Sequence, residues 1–304
     1  MKRKDPTMRK KNWKAVLKRN VVAYALMLIP LCLFAFYVWY PMIRNFILSF
    51  GGDSDSPGFF GFYAAIFGDD RFLSGLKNTF LYILWSLVLG YLVPVLLGFL
   101  LSEVIHAKGL FRVLLYLPCM ISGMAVTFLF KSIYGDADHD LFNVILIKLG
   151  MEPHPWRGSI SLVIPLIVLA MTWKGAGSTA LIYLSAFQSI DDSMYEAGRM
   201  DGASAWQRFW RITIPALRGT MLTLFVLQII SVFQVFYEPL IIGPFGGPLN
   251  GSMSLMLLSY LYAFQDFNFG KSAACSMILG LIIVAFTLVY SLVDRFLKKK
   301  EGRA

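Results

Sequence analysis

The chain reads as an all-α integral membrane protein with six transmembrane helices, and three observations carry that reading. Of its 304 residues, 57 % are hydrophobic and only 15 % are charged, where a soluble domain carries about 25 % charged residues. Five runs, Val21 to Ile43, Thr79 to Leu101, Val113 to Phe130, Gly219 to Tyr237 and Ser272 to Val293, contain no Asp, Glu, Lys or Arg. Each comes near the ~20 residues that a helix needs to cross a bilayer. Basic residues gather at the two ends: nine of the 28 lie between Lys2 and Arg19, and Arg295, Lys298, Lys299, Lys300 and Arg303 close the chain. A very hydrophobic soluble protein is the competing class, and five near-full spans count against it.

A net charge of +10 is also found in nucleic-acid binders. Here its placement is that of cytoplasmic flanks under the positive-inside rule. No zinc finger, RNA-binding signature or basic-aromatic groove interrupts the apolar runs, so no nucleic-acid partner is expected. Cys32, Cys119 and Cys275 are isolated within apolar segments, and His106, His139 and His154 lack ligand spacing. Neither a disulfide framework nor a metal site follows from them.

Residues 1–20 form a basic cytoplasmic tail. The first span is expected to be a retained signal anchor, because its apolar region is too long for a cleaved leader and Pro41 and Arg44 follow it. Pro30 is the expected kink. Gly51 to Lys77 begins as turns and forms the first outer loop. The second span is interrupted by Gly90 and Pro94, breakers that neighbouring helices can satisfy. A short inner connection with Glu103, His106, Lys108 and Arg112 leads to a third span ending near Lys131. Between Ser132 and Gly158 the chain lies outside, and Leu141 to Leu149 is too short to cross. The fourth span joins Ser159–Trp173 to Gly175–Ile190 through Lys174, expected to snorkel at the inner surface. Leu240 to Phe264 is uncharged, which leaves a seventh span open. An odd count would put one basic cluster outside, and six Gly and Pro residues break the run. An outer loop plus a short helix is therefore expected. The membrane domain covers residues 21–294, and 295–304 is a basic cytoplasmic tail.

One stretch departs from its surroundings. Gln188 to Arg218, between spans four and five, sets Asp191, Asp192, Glu196 and Asp201 against Arg199, Arg208, Arg211 and Arg218. Asp191, Asp192 or Ser193 can cap a helix through Met200. Gly202 permits a tight turn or a close approach, and Ala203 to Arg211 forms a second helical piece before Pro215. Six spans place this helix-turn-helix in the cytoplasm. Small Ala197, Gly198, Gly202 and Ala203 would let another protein sit close, with Glu196 free to pair an arginine. An amphipathic helix floating in the headgroups is the bland alternative, which Trp206 and Trp210 keep open.

EAGRMDGASAWQRFWRITIPAL, Glu196 to Leu217, resembles the EAA loop of the membrane subunits of binding-protein-dependent ABC importers. That motif reads roughly E-A-A, three residues, G, nine residues, I-x-L-P. Glu196, Ala197, Gly202, Ile212 and Pro215 match; Gly198 and Ile214 replace the usual alanine and leucine. The first span with its flank, KGLFRVLLYLP, TWKGAG, GGP and FNFGKSAACS resemble the sugar-uptake branch, so the likeness covers nearly the whole chain. The resemblance implies a coupling helix that seats in a cleft of an ATPase subunit through Glu196, Ala197, Gly202 and Ala203, with Asp201 and Arg199 supporting its shape and Gly198 lending flexibility. It implies a second related permease, forming a heterodimer; two ATP-binding subunits that hold ATP and Mg2+; and an extracytoplasmic solute-binding protein. It implies the cytoplasmic membrane of a bacterium or archaeon, with both termini cytoplasmic and the bilayer as surroundings.

No catalytic or metal-binding residues are expected. Gly270, Lys271 and Ser272 imitate the end of a phosphate-binding loop, but Gln265 stands where its first glycine must be. For a solute path, Gln228, Ser231, Gln234, Tyr237 and Glu238 lie on or just beyond span five. All but Tyr237 recur every three to four residues on one rough face. Path lining and packing against the partner permease are both open for them; Tyr82 and Trp85 are weaker candidates. The function expected is the translocation subunit of a sugar or oligosaccharide importer. The rivals are the same machine for glycerol phosphate or an amino acid, a non-transporting scaffold or receptor, and an ion-driven secondary transporter.

Overall fold

The computed structural model describes residues 13–51, 58–104 and 106–300. Most of the expected N-terminal tail, the start of the first loop and the last four residues lie outside them. The helices in order are α1 (Trp13–Phe34), α2 (Tyr40–Ser49), α3 (Gly61–Phe67), α4 (Asp70–Ser86), α5 (Leu92–Glu103), α6 (Lys108–Met120), α7 (Gly123–Ile133), α8 (Leu141–Lys148), α9 (Val163–Phe187), α10 (Asp192–Met200), α11 (Ala205–Arg208), α12 (Ile214–Phe233), α13 (Tyr237–Ile241), α14 (Leu255–Phe264) and α15 (Phe269–Lys300). Five continuous stretches are long and apolar enough to cross a membrane: Ala23–Ser49, Asp70–Glu103, Val163–Phe187, Trp206–Ile241 and Phe269–Phe296. The pair α6–α7 makes a sixth if counted as one span. α1 already runs through the last residues assigned to the N-terminal tail, and α15 continues past residue 294, so no break marks either boundary.

Three spans are widened by a single π-helical turn, at Ala35–Trp39, Leu87–Tyr91 and Phe209–Thr213. Each turn is followed within three residues by a proline: Pro41, Pro94 and Pro215. A proline has no N–H for the carbonyl four residues back and crowds it. Those carbonyls belong to Tyr37, Gly90 and Arg211, each inside its π turn. The helix absorbs the proline by widening rather than by ending. Pro30 behaves differently from expectation: α1 passes through it without interruption, and the irregularity comes later, ahead of Pro41.

The third span is a correction. The uncharged run from Val113 to Phe130 is not one straight helix; α6 and α7 meet at 93°. Ile121 and Ser122 are extended at the junction, just after Pro118. Ahead of the bend, α6 lies close on α9. A Cβ on Gly177 would sit 1.7 Å from the Leu115 carbonyl oxygen, so α6 rests directly on the α9 backbone. Gly98 of α5 also approaches α9 closely: a Cβ there would stand 2.8 Å from Tyr183 Cβ. Small residues let helices meet backbone to backbone inside a bilayer, and α9, with thirteen buried residues, is the axis of the bundle.

The stretch after α12 is an irregular loop leading to the short helix α14, not a seventh span, as expected. α14 has ten residues, seven of them buried, and Ser254 caps it by accepting the Leu257 N–H. The end of the bundle that carries α10 and α11 is called basal below, and the opposite end distal.

Candidate functional site

The polar insert folds as a capped arm at the basal end. Of the three possible caps, Asp191 takes the role: its carboxylate accepts the Ser193 N–H at 2.9 Å. That bond holds the Asp191 carboxyl below its usual pKa. At the other end of α10, the Gly202 N–H donates to Arg199 C=O and the Ala203 N–H to Gly198 C=O, at 3.0 and 2.9 Å. This is a Schellman termination, and it needs the left-handed φ of +73° that Gly202 adopts. Added bulk at Gly202 would meet nothing within 4 Å, so the glycine serves the turn. The next helix starts with a reciprocal box that the sequence reading missed: Ser204 N–H donates to Gln207 Oε1 at 2.8 Å, and Gln207 N–H to Ser204 Oγ at 3.3 Å. The S-x-x-Q spacing was the available signal.

The predicted contact residues fall into two groups. Glu196, Ala197, Asp201 and Gly202 are exposed, beside Met200 at 89 % exposure. Gly198 faces inward; a Cβ there would stand 3.0 Å from Ile212 Cδ1, so its smallness lets α10 lie on the π turn. Ala203 is half-buried and its carbonyl accepts a bond from Arg208 Nη1 at 2.6 Å. Tyr195 and Thr213 share a hydroxyl bond of 2.9 Å that ties the arm to the foot of α12. Behind the arm lies a cavity of about 460 Å³, walled by α5, α9, α10 and the π turn, with Glu103, Asp192, Arg199 and Arg208 on its surface. Trp206 stacks on Phe209, with Trp210 set edge-on to both, and both tryptophans are exposed.

A second cavity, of about 340 Å³, opens between the middles of α4–α5, α9 and α12. Its polar wall is Ser86, Thr172, Ser178, Thr179, Gln228 and Ser231, without a charged side chain. Gly90 belongs to it for a physical reason: a Cβ there would lie 2.5 Å from Gln228 Nε2. The π turn before Pro94 thus presents bare backbone to the cavity. Of the path candidates, Gln228 and Ser231 line it. Gln234, Tyr237 and Glu238 do not, because α12 stops at Phe233. Pro239 cannot serve the Val235 carbonyl, and the Ser254 hydroxyl donates to it instead at 2.7 Å. The chain turns there, so the shared face expected from spacing ends with the helix. Gln234 folds back to donate to Ile230 C=O at 3.3 Å; Tyr237 is exposed beside Phe236; Glu238 is half-buried on α13. Tyr82 is a structural tie, donating to Ser252 C=O at 2.9 Å. Lys174 does not snorkel at an inner surface: it stands eleven residues from Val163 and thirteen from Phe187, at the middle of α9.

A multi-pass helical membrane protein with a capped polar arm between two spans that share a mid-depth cavity defines the class of a membrane permease subunit. The chain belongs to the family described as binding-protein-dependent transport system inner membrane component, which matches residues 59–300. Relatives include the arabinooligosaccharides transport system permease protein AraP of Bacillus subtilis, 30 % identical over 91 % of this chain and 90 % of that protein. The lactose transport system permease protein LacF of Rhizobium radiobacter is 28 % identical over 87 % and 92 %. Among solved structures, a chain of a bacterial ABC transporter involved in the import of the acidic polysaccharide alginate shares the fold. Its TM-score is 0.83 at 24 % identity, over 94 % of this chain and 99 % of that one.

Proposed function

We propose that this chain is the translocation subunit of an ATP-driven importer for a sugar or oligosaccharide. The observation that carries the reading is the arm: a helix capped at both ends, with Glu196, Ala197 and Asp201 exposed, hung between the two spans that line the cavity. Glu196, Ala197, Gly202 and Ala203 seat in an ATP-binding subunit, while Gly198, Arg199 and Asp201 keep the arm's shape. ATP and Mg2+ belong to two such subunits, and this chain contributes no hydrolytic residue. Their closure pushes the arm, and α9 and α12 carry the motion to the cavity. A second, related permease supplies the other wall of the path. A solute-binding protein delivers cargo at the distal end; a structural relative is described in complex with a solute-bound periplasmic protein. The arm and both chain termini face the cytoplasm of a bacterial or archaeal cell, with the apolar flanks in its cytoplasmic membrane.

The hydroxyl and amide groups of the cavity suit a polyhydroxylated solute, and the relatives named for arabinooligosaccharides and lactose support that class over glycerol phosphate or an amino acid. The test is reconstitution with both ATP-binding subunits, the partner permease and the binding protein. Uptake and ATP hydrolysis should both rise with a sugar, and Gln228→Ala should lower uptake while the subunits still co-purify. Uptake driven by an ion gradient without the ATPases would point to a secondary transporter. Absence of any solute response would leave a scaffold.

A further inference from the structure

The polar groups that line the mid-depth cavity are not equally free. Four of its hydroxyls are bound to their own helices. Ser86 donates to Ile83 C=O at 2.9 Å, Thr172 to Val168 C=O at 2.8 Å, Ser178 to Gly175 C=O at 2.9 Å, and Thr179 to that same carbonyl at 3.4 Å. The side chains of Gln228 and Ser231, one helical turn apart on α12, make no hydrogen bond among the described residues. A carboxamide carries two donor hydrogens and an acceptor, so half-buried Gln228 holds most of the bonding capacity that the wall has left. A polar group kept unpaired within a span is costly and marks a place where something polar passes.

The place of that amide is set from another span. A Cβ on Gly90 would stand 2.5 Å from Gln228 Nε2, but at ordinary contact distances from Gln228 Cδ and Thr172 Oγ1, 3.4 and 3.6 Å. The amide therefore lies in the notch that the missing side chain leaves in the π turn. One residue further on, the two elements are held in register. The Tyr91 hydroxyl donates to Met221 C=O at 3.0 Å, and the Tyr91 ring stands edge-on to Phe225 at 5.5 Å. Met221, Phe225 and Gln228 share one stripe of α12, at spacings of four and three. Gly90 does not adopt a left-handed φ, and alanine is the better helix former. Neither backbone shape nor helix stability accounts for a glycine here.

We infer that Gly90 is a positioning residue: its missing Cβ seats the Gln228 amide against the cavity wall, where that amide exchanges hydrogen bonds with a hydroxylated solute. The inference deepens the importer reading above and rests on it. Adjacent hydroxyls of a sugar can accept from the amide N–H and donate to its carbonyl together. The four hydroxyls bound to their own helices have only acceptor capacity to add. Filling the notch displaces the end of a flexible side chain and no backbone, so the bundle tolerates it. The displaced amide swings toward the open cavity, which narrows, and its bonds to the solute are misaligned.

The experiment is a double-mutant cycle in the assembled importer, with two readouts. The first needs no cargo. In a chain with Cys32, Cys119 and Cys275 replaced, Ser178→Cys puts a thiol on the cavity wall for labelling with a methanethiosulfonate reagent. Gly90→Ala should slow that labelling by about tenfold, and adding Gln228→Ala should restore it. The second readout is uptake of a radiolabelled glucose trisaccharide. Gly90→Ala and Gln228→Ala should each lower uptake by about tenfold, and the double variant should fall no lower than Gln228→Ala alone. The thermal midpoint of Gly90→Ala should stay level or rise. Losses that multiply in the double variant, a lowered midpoint, or labelling unmoved by Gly90→Ala each overturn the inference, because Gly90 then acts through helix packing and not through Gln228. Labelling that follows the cycle while even the wild type takes up no sugar confirms the seat of the amide and sinks the glycan reading instead.

Discussion

The distal and basal ends of the bundle are built in opposite ways. At the distal end the loop between α12 and α15 is sewn to α4 along its length. Asn78 donates to Asn250 C=O at 2.7 Å, Tyr82 to Ser252 C=O at 2.9 Å, and the Leu255 N–H to Thr79 Oγ1 at 3.3 Å. Asp69 accepts from the Arg71 backbone N–H and from the Tyr262 hydroxyl, both at 2.9 Å, and Arg71 reaches on to Asp266 at 2.7 Å. Burial works to raise the Asp69 carboxyl, but these bonds hold it below its usual pKa. At the basal end the bonds are mostly within the arm itself, and open space lies behind it. An element tight within and loosely tied without moves as a piece. The difference teaches where motion can start: at the arm, against a distal end that holds its shape.

Four perturbations sharpen or break that contrast. The largest effect is expected from Glu196→Lys, which reverses the charge on the arm's exposed face. Solute-stimulated ATP hydrolysis in the assembled importer should fall by about tenfold or more, the scale of losing a close charge pair at an interface, with membrane insertion unchanged. Wild-type coupling in this variant would remove Glu196 from the contact. Next, Gly202→Ala forces a left-handed residue at about 1 kcal/mol or more. It should weaken coupling and raise proteolysis within residues 192–211 while leaving the unfolding temperature of the bundle in place. Tyr82→Phe is its counterpart, removing a buried bond worth about 1 kcal/mol. It should lower the thermal midpoint in detergent and leave arm proteolysis unchanged. If the two variants behave alike, the ends are not independent.

The smallest effect concerns pH. Asp191 and Asp69 both have depressed carboxyl pKa values in the folded state. Each contributes stability above the ordinary carboxylate range, and that contribution is lost as pH falls through the folded value. Acidification below about pH 4 should therefore loosen both ends, and hydrogen exchange of α10 and of the start of α4 should report it. Asp191→Asn, a cap without a titrating group, should remove the dependence at α10 alone.

Much of this architecture was legible in the residue order. Charge-free runs gave the spans, and the concentration of acids and bases between Gln188 and Arg218 gave the arm, together with its turn at Gly202 and a cap narrowed to Asp191, Asp192 or Ser193, from which the structure selects Asp191. The bend between α6 and α7 was not legible, because an uncharged run reads the same straight or broken, and the helix that α6 packs against at Gly177 is some sixty residues away. The lining of the cavity was half legible. Gln228 and Ser231 stood out as polar groups in an apolar helix. Thr172, Ser178 and Thr179 did not, since hydroxyls on a helix often bond their own backbone, as Thr172 does to Val168 C=O. Extending the polar face to Glu238 assumed a continuous helix, and Pro239 was the overlooked signal that it ends.

The central claim is that the exposed face of α10 meets a separate ATP-binding subunit. Cross-linking tests it most directly. Cys32, Cys119 and Cys275 are first replaced, and a single cysteine carrying a short photoactivatable group is placed at Ala197 or, as the distal control, at Leu249, which is 85 % exposed. In the assembled importer, Ala197→Cys should capture an ATP-binding subunit and Leu249→Cys should not. Capture of that subunit from Leu249, or none from Ala197 in an importer that still transports, would contradict the account.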